Sequence, residues 1–323
     1  MKKLITIALC ALAMAACSQE QGFDPSSYVN PNIGTVHSRW FVYTPASMPF
    51  GMAKLGASTN GTYGNDQGWE AVGYEDGHTS IDGFPCFHEF QVGGLSLMPV
   101  SGAVKTTPAR LEDPENGWRS NFDKADEVAQ PGYYSVILKD YGIKAELTAT
   151  QRVGFQRYTF PEGESHIIVN VGNREGESGA VTDSYAECKG NILSGYIVTE
   201  PEYVKKYQVG ATVCMYFYAE LSKAPESVSG FQYYGTEMKE GNSISGPGAV
   251  LCLNYSAKAG EKIDVKLGLS YTSVENAKAN FMAEAKGKSF DKAHSEAAAA
   301  WKSALSKIQV SGGTEDSEIA YMK

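Results

Sequence analysis

The sequence predicts an all-β fold, a large β-sandwich followed by two α-helices. Polar and apolar residues alternate with a period of two at residues 143–149 and again at 263–269, as in strands with one buried face. The runs 167–169 and 213–217 are apolar at every position, which is typical of strands buried on both faces. Because such patterns recur over the size range of a large sandwich domain, we expect one β unit at residues 24–273.

A turn and two helices follow from local signals. Asp140-Tyr141-Gly142 predicts the turn of a hairpin that runs from residue 132 to residue 150. Helical composition begins after residue 273 and predicts helices at 274–286 and 290–307. We expect Thr272 and Glu275 to form a capping box for the first helix, and Ser289 to cap the second.

The second helix carries an apolar stripe. Trp301, Leu305 and Ile308 lie at positions i, i+4 and i+7, on one face. The flank of the sandwich could cover this stripe. The other interpretation is that its partner is a following domain that is absent from the sequence.

The N-terminus predicts export. Two lysines precede an apolar stretch at residues 4–13, which is too short for a membrane span and typical of a signal peptide. The small residues before Cys17 resemble a bacterial lipobox, so we expect a signal peptide at 1–16, lipidation at Cys17 and a tether at 17–23. The protein is then expected to be an exported bacterial lipoprotein of the outer membrane, on its periplasmic or surface face, with the lipid as its membrane contact.

Charge and cysteine content exclude several classes of function. With 28 basic and 37 acidic residues, the formal net charge is −9, which disfavours nucleic acids and anionic membrane surfaces as partners. The cysteines beyond Cys17 are scattered, without a CxxC motif or zinc-finger spacing. Cys214 and Cys252 lie in apolar runs, where buried free thiols are expected, and no disulfide can be assigned.

One loop region has the composition of a sugar-binding site. Residues 68–94 place aromatic rings, two histidines and several carboxylates between repeated glycines, which disfavour regular helix or strand. Rings cover the C–H faces of a pyranose, and carboxylates and imidazoles bind its hydroxyls. The alternative is a surface loop whose glycines make turns and whose aromatic side chains fill the core.

Five blocks of the sequence form a recognisable series: YVNPNIGT at 28–35, PFGM at 49–52, SIDGFPCFHEFQVGG at 80–94, the hairpin region 131–161, and the junction from Ser270 to Trp301. In this order they resemble the N-terminal domain of glycoside hydrolase family 92, the calcium-dependent exo-α-mannosidases. The sequence departs from the family pattern at Asn32, where Phe is usual, at Pro85, where Ser is usual, and at Cys86, where His is usual.

The resemblance implies a β-supersandwich, a helical linker at 274–310, and the truncated start of an (α/α)6 catalytic domain at 311–323, the rest of that domain being absent. It also implies that both catalytic carboxylates belong to the helical domain. We therefore expect no catalytic residue in this chain and no activity from it alone. Calcium is implied as a cofactor, with ligands mostly outside this chain.

The resemblance and the loop composition together suggest a pocket wall for α-mannoside glycans. Its candidate substrate-binding residues are Gly34, Thr35, Trp69, His88 and Glu89. The structural alternatives are a turn for Gly34 and Thr35, a core tryptophan for Trp69, and a buried imidazole for His88. Because neighbouring residues of a strand face opposite sides, we expect only one of His88 and Glu89 to reach the pocket.

Two functions of different class follow. The first is the N-terminal part of an inverting exo-α-mannosidase acting on N-glycans or mannan. The alternative is a non-catalytic carbohydrate-binding surface lipoprotein. The residues encoded after Lys323 would discriminate between them.

Overall fold

The computed structural model describes residues 24–36, 43–59, 73–89, 92–173, 175, 179–233, 235 and 237–308. The predictions for the signal peptide, Cys17, Trp69 and residues 309–323 lie outside this part of the chain. Within it, no helix has both the length and the apolar character needed to span a lipid bilayer.

The described chain consists mainly of antiparallel strands. In chain order they are Ala46–Ser47 (β1), Lys54–Leu55 (β2), Ser80–Ile81 (β3), Phe84–Glu89 (β4), Val92–Ser101 (β5), Ser120–Asn121 (β6), Val128–Gln130 (β7), Tyr133–Leu138 (β8), Ile143–Ala149 (β9), Val153–Phe160 (β10), Gly163–Asn170 (β11), Ala180–Lys189 (β12), Ile192–Glu200 (β13), Val213–Leu221 (β14), Ser227–Gln232 (β15), Lys239–Glu240 (β16), Ser243–Ser245 (β17), Ala249–Ala257 (β18) and Glu261–Ser270 (β19). The α-helices are Glu202–Tyr207 (α1), Val274–Glu284 (α2) and Phe290–Leu305 (α3), and 3₁₀ turns occupy Pro25–Tyr28, Pro114–Asn116 and Lys124–Asp126.

Two large sheets form the sandwich. One has nine strands in the order β17-β12-β13-β14-β19-β10-β9-β8-β7, and the other has six in the order β16-β15-β18-β11-β5-β4. Both contribute to one buried apolar core, for example through Leu147 and Val265 from the first sheet and Leu97 and Leu251 from the second. Two small two-stranded sheets, β1-β2 and β3-β6, complete the β structure of the described residues. The predicted all-β sandwich is confirmed.

The alternating patterns predicted the strand faces well. In β9 and β19 the apolar positions are buried and most of the polar ones are partly or fully exposed. Residues 167–169 of β11 are all buried, as predicted for a strand covered on both faces. The same prediction was wrong for 213–217, where burial alternates and only Met215 and Phe217 are buried. Tyr216, between them, instead faces a surface row in which its ring lies 6.1 Å from that of Tyr196.

The helix starts are close to the predicted ones. The cap of α2 is Ser273, whose side chain accepts a hydrogen bond from the backbone N–H of Asn276. The predicted capping residue Thr272 was therefore wrong by one position, and its hydroxyl instead accepts from the side chain of Asn276 at 2.8 Å. Ser289 caps α3 as predicted, accepting from the N–H of Lys292.

Both helices pack on the flank of the nine-stranded sheet. Gly268 of β19 lies so close to α2 that a Cβ there would meet the carbonyl oxygen of Ala277 at 2.2 Å. On α3, Trp301 is not left without a partner, because its indole N–H donates to the carbonyl of Ser47 at 2.6 Å. Of the three stripe residues, Ile308 is largely exposed, at 63%, while Trp301 and Leu305 are partly buried. The flank of the sandwich therefore covers part of the stripe, and a following domain as its further partner stays a prediction.

Candidate functional site

The opening segment forms a tight turn at residues 31–34. Gly34 has φ +89°, a conformation that costs glycine little and other residues much more. Thr35 is buried, and its hydroxyl donates to the carbonyl of Asn32 at 2.7 Å. In the described structure Gly34 and Thr35 therefore stabilise the turn, the first by its backbone conformation and the second by its hydrogen bond. Their predicted contact with a sugar stays a prediction.

Asn32 connects this turn to the rest of the site. Its side-chain oxygen accepts from the hydroxyl of Tyr43 at 2.8 Å, and its amide nitrogen lies 3.5 Å from a carboxylate oxygen of Asp76. Asn32 is a departure from the resembling sequence pattern, where Phe is usual. A polar side chain is used here to join two separate stretches of chain by hydrogen bonds.

Beneath the turn lies a cluster that we call the tyrosine–glutamate cluster: Tyr43, Tyr74, Tyr134, Lys124 and Glu127. The rings of Tyr43 and Tyr74 are stacked with centroids 3.8 Å apart, and Tyr134 contacts Tyr43 edge-on. The Glu127 side chain is only 2% exposed. It accepts from the hydroxyls of Tyr74 and Tyr134 at 2.7 Å each, and its second oxygen lies 3.2 Å from the Lys124 ammonium.

Burial determines the protonation of these rings. It raises the pKa of Tyr43 and of Tyr134 well above the ordinary value, and the neighbouring Glu127 carboxylate raises both further. Burial also raises the pKa of Tyr74. The three phenols therefore stay protonated and act as hydrogen-bond donors to fixed acceptors. The cluster is a rigid support beneath the opening turn, with the half-exposed Lys124 and Asp76 paired at its surface at 3.0 Å.

His78 is the centre of a second polar group. Its Nδ1 lies 2.8 Å from the hydroxyl of Thr59, and its Nε2 lies 3.3 Å from a carboxylate oxygen of Glu75. The order hydroxyl, imidazole, carboxylate is that of a nucleophilic triad. Thr59, however, is fully buried and its hydroxyl also donates to the carbonyl of Gly73 at 3.0 Å. The group therefore stabilises the loop.

Arg119 is a buried residue whose role sequence reasoning missed. Its Nη1 lies 3.3 Å from the carboxylate of Asp82, and its Nε donates to the hydroxyl of Ser80 at 3.0 Å. The stretch 112–127, which contains it, is acidic, and from composition alone the interpretation would be a solvated loop. That interpretation was wrong for Trp118, Arg119 and Ser120, which are all buried. Hydrophobic periodicity does not reveal that these residues are buried, because the residues they contact lie far away in the sequence.

His88 and Glu89 end strand β4 and differ in burial. The imidazole of His88 is 1% exposed, and burial lowers its pKa to about 3, so it is neutral. Glu89 is half-exposed and pairs with Lys54 at 2.5 Å. This difference follows from the alternation of strand faces. The burial of His88 favours the interpretation of a buried imidazole, and the pocket roles of both residues stay predictions.

We expect His88 to make the fold acid-sensitive. Its folded pKa of about 3 lies below the ordinary 6.5, so as pH falls the unfolded chain takes up a proton that the folded chain does not. Between pH 7 and pH 5 this residue alone should lower the free energy of unfolding by about 2 kcal/mol. Urea unfolding of the chain and of His88→Leu at both pH values measures the difference, and an equal loss in both proteins would contradict the prediction.

No metal site is formed by the described residues alone. No group of three or more His, Cys, Asp or Glu side chains among them is placed to hold an ion. Asp76, whose carboxylate lies 3.5 Å from the Asn32 amide, and Glu127 are both engaged with Lys124. Calcium requires about six to eight oxygen ligands, so these residues by themselves do not fit it.

Comparison with known proteins decides the family. The model of the glycosyl hydrolase family 92 N-terminal domain matches residues 28–270, and that of the family's catalytic domain matches residues 276–322. The chain belongs to glycosyl hydrolase family 92. The family 92 match therefore covers the whole sandwich, including the opening turn, the tyrosine–glutamate cluster and β4.

Solved family 92 structures have the same fold. A family GH92 α-mannosidase from Bacteroides thetaiotaomicron is 26% identical, with a TM-score of 0.81 over 93% of this chain and 40% of that one. Its complex with mannoimidazole superposes with a TM-score of 0.80 over 93% and 39%. A family GH92 inverting mannosidase from the same organism, 20% identical over 94% and 39% of the two chains, has a TM-score of 0.74 and shows the fold alone.

A curated relative is also similar. An uncharacterized secreted glycosidase from Arthroderma benhamiae is 25% identical over 347 aligned residues, which cover 97% of this chain and 42% of the relative. The family 92 chain thus spans about two fifths of the length of the proteins it matches.

Proposed function

We propose that this chain is the N-terminal part of an inverting exo-α-mannosidase that acts on the α-mannosides of N-glycans or mannan. The observation that carries the proposal is the family 92 match over residues 28–270. It is supported by the 26% identity to a solved α-mannosidase of the family, which also binds mannoimidazole. The alternative of a non-catalytic carbohydrate-binding lipoprotein has no observation that favours it.

In this proposal the sandwich contributes part of the wall of the sugar pocket. The opening turn with Gly34 and Thr35 is the candidate edge of that wall, together with Trp69, His88 and Glu89. Support comes from the contacts that anchor the turn. Asn32 accepts a hydrogen bond from Tyr43, whose ring is stacked on that of Tyr74. Glu127 in turn accepts a hydrogen bond from the hydroxyl of Tyr74. A wall built on a buried network keeps its shape when a ligand binds.

An inverting glycosidase needs a carboxylic acid and a carboxylate about 6.5–9.5 Å apart, with water between the carboxylate and the sugar. Glu127 and Asp76 are engaged in hydrogen bonds and ion pairs, so we assign neither role to them. The match to the family's catalytic domain begins at residue 276. We propose that both catalytic groups belong to this domain and lie outside the described residues. Calcium, if the enzyme uses it, would be held mostly by ligands outside this chain, where it could bind sugar hydroxyls.

Export is the proposed location. The basic and apolar N-terminus and Cys17 support an outer-membrane lipoprotein, and the Arthroderma benhamiae relative is described as secreted.

The test compares this chain with the polypeptide encoded by the uninterrupted reading frame. We expect the chain alone to give no detectable hydrolysis of 4-nitrophenyl α-mannoside, and the longer polypeptide to hydrolyse it and lose activity when calcium is chelated. NMR of the product sugar would show the inverted β-anomer first. Hydrolysis by the chain alone would overturn the assignment of the catalytic groups to the catalytic domain. A reading frame that stops at Lys323 would overturn the enzyme proposal.

A further inference from the structure

A pocket of about 450 Å³ opens at one end of the six-stranded sheet, across β15, β18 and β11. We call it the Asn254 pocket. Ser227, Asn254 and His166 are direct cross-strand neighbours, so their side chains lie on one face of the sheet. Its polar lining residues include His166, Glu226, Ser227, Ser229, Glu240 and Asn254. None belongs to the opening turn or to the tyrosine–glutamate cluster.

The hydrogen bonds of Asn254 determine which donors and acceptors the pocket presents to a ligand. Its side-chain oxygen lies 2.8 Å from His166 Nδ1, and its amide nitrogen donates to the hydroxyl oxygens of Ser227 at 3.1 Å and Ser229 at 3.3 Å. Because an amide oxygen only accepts, His166 carries a proton on Nδ1, and in this tautomer Nε2 is an acceptor. The two serine oxygens already accept, so their O–H groups are left to donate.

His166 Nε2 lacks a partner within the described residues. The residue is only 5% exposed, and this nitrogen is buried without a hydrogen bond. The Glu164 carboxylate is 3.8 Å away, which is beyond hydrogen-bond distance. Buried polar atoms are satisfied in the large majority of cases, and a hydroxyl donor bound beside His166 would satisfy this acceptor.

The charge of the lining restricts the class of ligand. The described lining residues include Glu164, Glu226 and Glu240 and no lysine or arginine. Glu226 is held in place by the N–H and the hydroxyl of Ser256, at 3.1 and 2.9 Å. The three carboxylates outnumber the nearby cation Lys223, which interacts with Glu226 and donates to the carbonyl of Ser256 at 3.1 Å, so anions are disfavoured. An ammonium would satisfy the acceptors but, being a donor only, would leave the two serine hydroxyls without acceptors.

We propose that the Asn254 pocket binds one residue of a neutral, hydroxyl-rich ligand, a monosaccharide or a glycan unit. A sugar hydroxyl both donates and accepts, so one ligand can donate to His166 Nε2 and Glu240 and accept from Ser227 and Ser229. The volume is within the range of small-molecule sites, about 300–1,000 Å³. The site does not depend on the mannosidase proposal, because no catalytic group takes part in it.

The experiment uses the purified chain with two probes, methyl α-mannoside and the diamine putrescine, measured by ligand-observed NMR and by titration. We expect the mannoside to bind with a Kd of about 1 mM and putrescine to bind more weakly. Ser227→Trp places a ring in the pocket from an exposed position and should weaken mannoside binding at least about tenfold, since several hydrogen bonds are lost together. Thr182→Trp, which introduces the same side chain at an exposed position of β12, is the matched control and should bind like the parent chain.

Circular dichroism and thermal unfolding establish whether each variant is folded. If Ser227→Trp does not fold, Glu240→Trp, at an exposed lining position of the neighbouring strand β16, takes its place. Loss of mannoside binding in the pocket variant with retention in Thr182→Trp supports the proposal. The proposal is overturned by absence of mannoside binding to the parent chain, by equal binding to the pocket variant, or by a preference for putrescine.

Discussion

Glu127→Ala is expected to be among the most destabilising single changes in the sandwich. The carboxylate accepts hydrogen bonds from Tyr74 and Tyr134, and both phenols are buried. Without it, two buried hydroxyls lose their acceptor, at about 1–3 kcal/mol each, so we expect the free energy of unfolding to fall by about 3 kcal/mol or more. Urea unfolding followed by tyrosine fluorescence measures the change.

The matched control for this prediction is Asp123→Ala. Asp123 also pairs with a lysine, Lys139, at 2.6 Å, but both side chains are about half exposed. An exposed pair contributes about 0–1 kcal/mol, so this variant should stay close to the parent chain. Equal effects of the two substitutions would show that Glu127 is a surface residue in solution and that the opening turn has no rigid support.

Phe281→Ala is expected to have the second large effect. Phe281 lies on α2, is 2% exposed, and belongs to a small core with Val153, Phe155 and Phe290 that joins both helices to the nine-stranded sheet. Truncation of a buried phenylalanine costs about 3–5 kcal/mol, through lost apolar contact and the cavity left behind. Thermal and urea unfolding should show this loss as one cooperative transition, because helices and sheet share the core.

Met282→Ala is the control on the same helix. Met282 follows Phe281 directly but is 44% exposed, so we expect a change within about 0.5 kcal/mol. If Phe281→Ala instead split the unfolding into two transitions, with the sandwich transition unchanged, the helices would be an independent unit and the shared core would be refuted.

The strands of the sandwich could be predicted because their signal is local. In β9 and β19 each side chain is buried or exposed according to its position on a two-residue repeat, and that repeat is present in the sequence. Ser289 could be identified as a cap for the same reason, since it bonds a residue three positions away. The cap of α2 was placed one residue too early because Thr272 and Ser273 are both good capping residues.

The support of the candidate site could not be predicted, because its contacts are not local. Tyr74 and Glu127 are 53 residues apart, and Arg119 reaches Ser80 across 39 residues. In the sequence both Glu127 and Arg119 belong to a polar, acidic stretch that has the composition of a solvated loop. Burial of such residues depends on partners that no spacing rule reveals.

The sequence by itself determined the all-β sandwich, the two following helices and, through five ordered blocks, the family. These depend on periodicity, caps and short motifs, which are interactions between residues close in the chain. Only the tertiary structure decided which polar residues are buried, that Trp301 packs against Ser47, and that Asn254, His166 and Ser227 line one pocket. The physical reason is that desolvation and hydrogen-bond satisfaction depend on which distant strands meet, and that is settled by the packing of the whole chain.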